Sequence, residues 1–146
     1  MIKTFKGRIS MNEEARLRLS TNKGLIGYKI KDFQIMSSTP GTGNVEMIGQ
    51  LFTQSQLPDS VSTTVNFDNP LILGVALYHD GAANDTTHFM STTIFDAKTI
   101  NQDIFVNITD ATGSSIKGNY YIELEQVALD LNQATVATLK NMRGRE

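Results

Sequence analysis

The sequence predicts one all-β domain, an antiparallel β-sandwich, jelly-roll-like, closed by one short C-terminal helix, and three observations carry that expectation. Apolar and polar residues alternate in about nine short segments, the period of strands with one buried face. The breaks between them are rich in Gly, Asn, Asp and Ser, with no helical pattern between one strand and the next. Only in the closing stretch "NYYIELEQVALDLNQATVATLKNMRGRE" does the apolar spacing change from every second position to every third or fourth. Short strands without intervening helices pack as two layers, and an eight-stranded jelly roll is a common closure of that number. A Greek-key sandwich of another topology is the alternative.

Taken in order, "KTFKGRIS" places Phe5, Gly7 and Ile9 on one face, and "EARLRLS" does the same with Ala15, Leu17 and Leu19; "MNE" between them reads as a hairpin loop. "GYKIKDFQIM" alternates through Tyr28 and Ile30 and resumes at Phe33 and Ile35, a phase shift that a β-bulge at Lys31–Asp32 supplies. "STPGTGN" is a turn, with Pro40, Gly41 and Gly43 suited to special backbone angles. The runs "VEMIGQLFT", "STTVNF", "LILGVALYH", "MSTTIF" and "DIFVNIT" read as further strands, and "LILGVALY", apolar on both faces, suits a central position. In "YYIELEQVALD", Tyr120, Ile122 and Leu124 share one face and Val127 and Leu129 continue it only after a phase slip near Gln126, again a bulge. Asn132 then reads as an N-cap, "QATVATLKNM" as a helix over residues 133–142, and Gly144 as its stop. The expected division is residues 1–131 for the sandwich and 132–146 for the helix and basic tail, packed on the domain or on a neighbouring subunit.

The 146 residues suit one core. Without cysteine there is neither a disulfide framework nor a thiolate metal site. No apolar run approaches the roughly 18 residues of a helical membrane span, so no membrane partner is expected. The net charge of −2 hides an uneven layout: residues 1–31 carry +6, residues 32–139 carry −10 and residues 140–146 carry +2. Such asymmetry points to electrostatic association with a partner and says nothing about fold.

Known chemical motifs fit poorly. "GTGN" lacks the Lys-Ser/Thr pair with which a phosphate loop meets its ligand. His79 and His88 lie in "YHDGAANDTTH" beside Asp80 and Asp85, but their spacing matches no familiar ligand set, nor an EF-hand loop, nor the His-x-His of a cupin. No G-x-S-x-G elbow presents a nucleophile. Glu123 and Glu125 point the same way from one strand, roughly 7 Å apart by strand rise, and alternating Glu on an outward face is what a half-buried strand presents. The expectation is no catalytic residue, no metal and no cofactor.

The basic stripe is the more informative feature. If the first two strands form a hairpin, Arg8 faces Arg16 and Lys6 faces Arg18 on the outward side, and like charges directly opposite are destabilising. Solvation of long side chains, an acidic strip such as Glu123 and Glu125 on a neighbouring subunit, or phosphates of packaged nucleic acid would offset that repulsion. The helix is too short and too thinly apolar to stand alone in water, so Val136, Leu139 and Met142 are expected at a contact within the domain or between copies.

The segments "MIKTFKGRIS", "LRLSTNKGLIGYKIKDFQIM" and "YYIELEQVALDLNQATVATLKNMR" together resemble a group of small proteins of marine bacteriophages and phage-like metagenomic sequences, over about the first forty and the last thirty residues. The resemblance implies a virion-associated structural protein: capsid, minor capsid or decoration. It carries no site residue across. Its implied partners are itself, as a homo-oligomer, and other virion proteins, with non-specific contact to packaged nucleic acid; its implied location is the virion, assembled in the host cytoplasm. A carbohydrate- or receptor-binding module of a phage tail or fibre is the second reading, and a cupin-like or hydrolase enzyme the third.

Overall fold

The structure is a computed structural model that describes the chain except residues 43, 57–62, 82–87, 96–98 and 143–146, with only the backbone described at residue 88. Among the described residues eight strands and one helix follow in order: β1 (Ile2–Ile9), β2 (Glu14–Leu17), β3 (Ile26–Ser37), β4 (Val45–Phe52), β5 (Ile72–Asp80), β6 (His88–Ile94), β7 (Ile104–Asp110), β8 (Gly118–Ala128) and α1 (Leu131–Met142). They form an all-β sandwich of a three-stranded sheet, β1-β8-β3, and a five-stranded sheet, β2-β7-β4-β5-β6, with every ladder antiparallel. A jelly roll rolls up one long antiparallel hairpin, so its strands pair 1 with 8, 2 with 7, 3 with 6 and 4 with 5. Here β1–β8, β2–β7 and β4–β5 are present, while β6 pairs with β5 and reaches β3 through a side chain, Thr92 Oγ1 donating to the Phe33 carbonyl at 2.7 Å.

The expected first hairpin is corrected. β1 and β2 belong to different sheets, and the Ser10–Glu13 turn, with Asn12 at a φ of 64°, carries the chain from one to the other. Alternation decides which side chains point inward and leaves the partner open. The faces themselves agree: Leu17 and Leu19 are buried, and Phe5, Ile9 and Ala15 pack against the core. The β3 bulge falls where the phase shift put it, between Ile30 and Asp32, so that Phe33 and Ile35 return to the core. The bulge expected near Gln126 does not exist. β8 keeps one register against β3 from Ile26↔Ala128 to Ile30↔Leu124, leaving Val127 on the outer face, where α1 comes down beside it.

The main core lies between the sheets, with Phe33, Ile35, Met47, Leu51, Ile104, Ile108, Ile122 and Leu124 fully buried. Each contributes about 1.5–3 kcal/mol through burial. The packing is close enough at Gly49 that a Cβ would stand 2.7 Å from Ile35 Cγ2. A second, smaller cluster of Ile48, Phe52, Ile72 and Val75 occupies the outer face of the five-stranded sheet, with Val65, Leu71, Leu77 and Phe95 packed on it. This is why "LILGVALY" is apolar on both faces. It also corrects "STTVNF": residues 63–67 are a loop, and Val65 is apolar because that loop lies over the outer cluster.

Asp103, just before β7, anchors β2. Its carboxylate accepts from the backbone N–H of Leu19 (2.8 Å) and Ser20 (2.9 Å) and from Arg16 Nε (2.7 Å). Burial alone would raise its pKa, but these donors outweigh it and bring the carboxyl from 3.8 down to about 2. A depressed folded-state pKa stabilises the fold above the unfolded value and is lost on acidification. Asp103→Asn is therefore expected to cost about 1–3 kcal/mol at neutral pH. Thermal melts of the variant and the parent should converge as the pH falls from about 4 to about 2; parallel curves across that window would contradict the assignment.

Candidate interaction surface

The helix is set by its cap. The Gln133 N–H donates to Asp130 Oδ1 (2.7 Å) while the Asp130 N–H donates to Gln133 Oε1 (3.1 Å), a reciprocal capping box. Asp130 therefore takes the place expected for Asn132, and α1 starts at Leu131. The signal was in the sequence as Asp-x-x-Gln.

In the single chain α1 docks on its own domain, and it does so with its small side. Ala134, Ala137 and Asn141, at i, i+3 and i+7, are the buried positions. Asn101 Nδ2 lies within hydrogen-bonding distance of the Gly24 carbonyl (3.0 Å), the Ala134 carbonyl (3.2 Å) and Thr138 Oγ1 (2.7 Å), and Asn141 Nδ2 donates to the carbonyls of Thr99 (3.3 Å) and Ala137 (2.5 Å). Gly24, at a φ of +63°, brings the backbone to this junction in a conformation that favours glycine. Sequence reasoning missed both Asn101 and Asn141, whose only signal was a polar residue inside an apolar pattern.

The larger apolar side chains of α1 face away. Leu131 is 73% exposed, Val136 52%, Leu139 66% and Met142 44%. Leu139 points straight out, with Leu131 and Met142 on one flank of it and Val136 on the other, where it lines a groove of about 510 Å³ with Lys29, Thr99, Val127, Leu129 and Lys140. A helix that buries alanines and exposes leucines has reversed the usual preference for which side chains meet the core.

The charged residues do not gather as the sequence suggested. Lys6 and Arg8 lie on the outer face of the three-stranded sheet, in register with Tyr121 and Asn119. Arg16 lies on the other sheet, ion-paired to Asp103 at 2.5 Å and 5.9 Å from the centre of the Phe105 ring, and Arg18 is exposed beyond the end of β2. The four-cation face is thus corrected: with β1 and β2 unpaired, the opposed like charges never arise. Glu123 and Glu125 do share the outer face of β8, but within the chain Lys31 Nζ holds Glu125 at 2.8 Å. That hydrogen bond and charge lower the Glu125 pKa. Glu123 sits in register with Asp32 and accepts from the Tyr121 hydroxyl at 3.5 Å.

Of the histidine loop, Asp85 and the His88 side chain lie outside the described residues. Asp80 is buried and accepts from the Gly41 N–H (2.6 Å) and the Tyr78 hydroxyl (3.3 Å), holding the 39–42 turn to β5. Among the described residues no three side chains of His, Asp or Glu come together as a metal site. Comparison of the chain with protein-family models, with characterised proteins and with solved structures finds no match.

The cap yields a direct check. Asp130→Ala removes one half of the box and is expected to lower stability by about 1 kcal/mol. Chemical denaturation should show this as a lower midpoint with an unchanged slope.

Proposed function

We propose that the protein is a non-enzymatic structural component of a bacteriophage particle that works through contacts between copies of itself. The observation that supports this most is the inversion on α1, where small residues hold the helix to its own domain while Leu131 and Leu139 stand well over half exposed and Met142 nearly half, beside an apolar groove. Side chains of this kind, clustered on a docked helix, suit the apolar centre of a subunit interface. A second copy fits as the occupant because one helix carries both the ridge and a wall of the groove, so two copies can present each to the other. The phage resemblance of the first forty and last thirty residues points the same way. The lysines that flank the groove, Lys29 and Lys140, together with Lys6 and Arg8 on β1, would lie at the rim, where charge sets orientation and on-rate more than affinity.

The test is the paired substitution Leu139→Glu with Met142→Glu, followed by analytical ultracentrifugation and thermal melting. Both positions are exposed, so the fold is expected to change by no more than about 0.5 kcal/mol. The parent should sediment as an oligomer and the variant as a monomer. A parent that stays monomeric at high concentration, or a variant that assembles like the parent, overturns the proposal.

A further inference from the structure

Among the described residues nothing pairs with the outer edge of β1, which runs for eight residues. The Gln126 N–H donates to the Met1 carbonyl at 2.8 Å, and this fixes the phase of the β1–β8 ladder. Odd-numbered residues of β1 turn their backbone N–H and C=O toward β8, so Ile2, Thr4, Lys6 and Arg8 turn theirs away from the sheet. No residue of β1 is buried. The other edges are treated differently. β2 is four residues long, and Glu14 ties it to Ser55 and Gln56 at 2.6 and 2.7 Å. β3 is bridged to Ile100 through Tyr28 and tied to β6 by the Thr92 hydroxyl.

The same strand carries three cations. Among the described residues the ion pairs are Arg16 with Asp103 and Lys31 with Glu125, so Lys3, Lys6 and Arg8 hold no carboxylate there. Lys6 and Arg8 stand on the outer face of the sheet, opposite Tyr121 and Asn119 in register. Lys3 stands on the other face, its Nζ 5.3 Å from the centre of the Phe5 ring and 5.7 Å from that of Tyr28. Positive charge therefore flanks the edge on both sides. Lysines on an edge strand discourage indiscriminate pairing, and they also select which strand is admitted.

We infer that the outer edge of β1 receives an extended acidic segment of another polypeptide, which joins the three-stranded sheet as a fourth strand. The outward N–H and C=O groups of Ile2, Thr4, Lys6 and Arg8 supply the ladder, and such main-chain bonds give strand addition its affinity. Carboxylates on the incoming strand, opposite or diagonal to Lys6 and Arg8, supply the selection, because cross-strand pairs of opposite charge stabilise and like pairs destabilise. A second copy of β1 is the poorer occupant: it would set Lys3, Lys6 and Arg8 of one strand beside the same three residues of the other. The inference goes beyond the assembly proposal, since it uses the backbone edge of β1 and neither α1 nor its groove.

The experiment is a titration of the intact, nitrogen-15-labelled protein at low salt with a capped peptide of alternating valine and glutamate, as long as β1. Its valine-lysine counterpart is the control. The parent and the Leu139→Glu, Met142→Glu variant are titrated side by side, which separates this contact from assembly through α1. The glutamate peptide should give saturable shifts and slower hydrogen exchange at the Ile2, Thr4, Lys6 and Arg8 amides, and the lysine peptide neither. Lys6→Glu with Arg8→Glu should weaken the glutamate peptide about tenfold and admit the lysine peptide. Thr4→Pro keeps every charge and removes an N–H that makes no bond to β8, so it should abolish binding with little change in Tm; the charge reversal, at two exposed positions, decides the matter if this variant does not fold. Absence of saturable shifts with the glutamate peptide in both proteins overturns the inference. Binding that survives Thr4→Pro reduces it to charge attraction without a strand and overturns it as well. Protection of the same amides that grows with protein concentration, without any peptide, puts a second copy at the edge and overturns the choice of partner.

Discussion

The three-stranded sheet depends on a single strand. β1 and β3 make no ladder with each other; among the described residues the one ladder of each is with β8, which lies between them from Gly118 to Glu125. The inward side chains of β8, Ile122 and Leu124, face the opposite sheet at full burial, so this strand supplies both the hydrogen-bonding template for half of the sandwich and part of its core. β1 opens the chain and β8 comes near its end, so the ladder that joins them spans nearly the whole sequence. Such non-local pairing carries its entropic cost before it returns any contact energy, which places this domain among slow-folding topologies.

The helix inherits its position from the same strand. The Leu129 N–H donates to the Leu25 carbonyl at 2.8 Å, extending the pairing of β8 past its end and delivering the chain to Asp130, where the cap forms. α1 then settles on the Gly24 and Thr99–Asn101 segments through alanines and amides. Ile100, bridged to Tyr28 by two backbone hydrogen bonds of 2.7 and 2.8 Å, carries that second segment along the edge of β3. A contact made by small side chains and three amide contacts lets the helix lie close, and it leaves the larger apolar side chains turned outward. The exposure of Leu131 and Leu139 is therefore a consequence of how α1 is anchored.

Much of this was legible locally and little of it non-locally. The inward positions Phe5, Ile9, Leu17, Phe33 and Ile35, and the β3 bulge, follow from a two-residue period that only the strand itself sets. The partner of β1 did not follow, because a strand's pattern is the same whichever strand it pairs with. "STTVNF" imitated a strand because Val65 answers to an apolar patch on the outside of the sheet, a patch visible only once β4 and β5 are side by side. Val127 and Leu129 suggested a bulge because a terminal helix covers an outer face that is otherwise solvated. The outward pair of Gln50 and Asn107 was illegible for the same reason: the two come from distant segments, and only the β4–β7 register brings them together.

Native-state hydrogen exchange tests the dependence on β8 most directly. If β8 holds the sandwich together, the amides of β1, β3 and β8 can open only when the shared core opens, and they should exchange with the same free energy as those of β4 and β7 in the five-stranded sheet. A lower and separate opening energy for the β1, β3 and β8 amides, with β4 and β7 still protected, would show that the five-stranded sheet stands without its partner and would contradict the account.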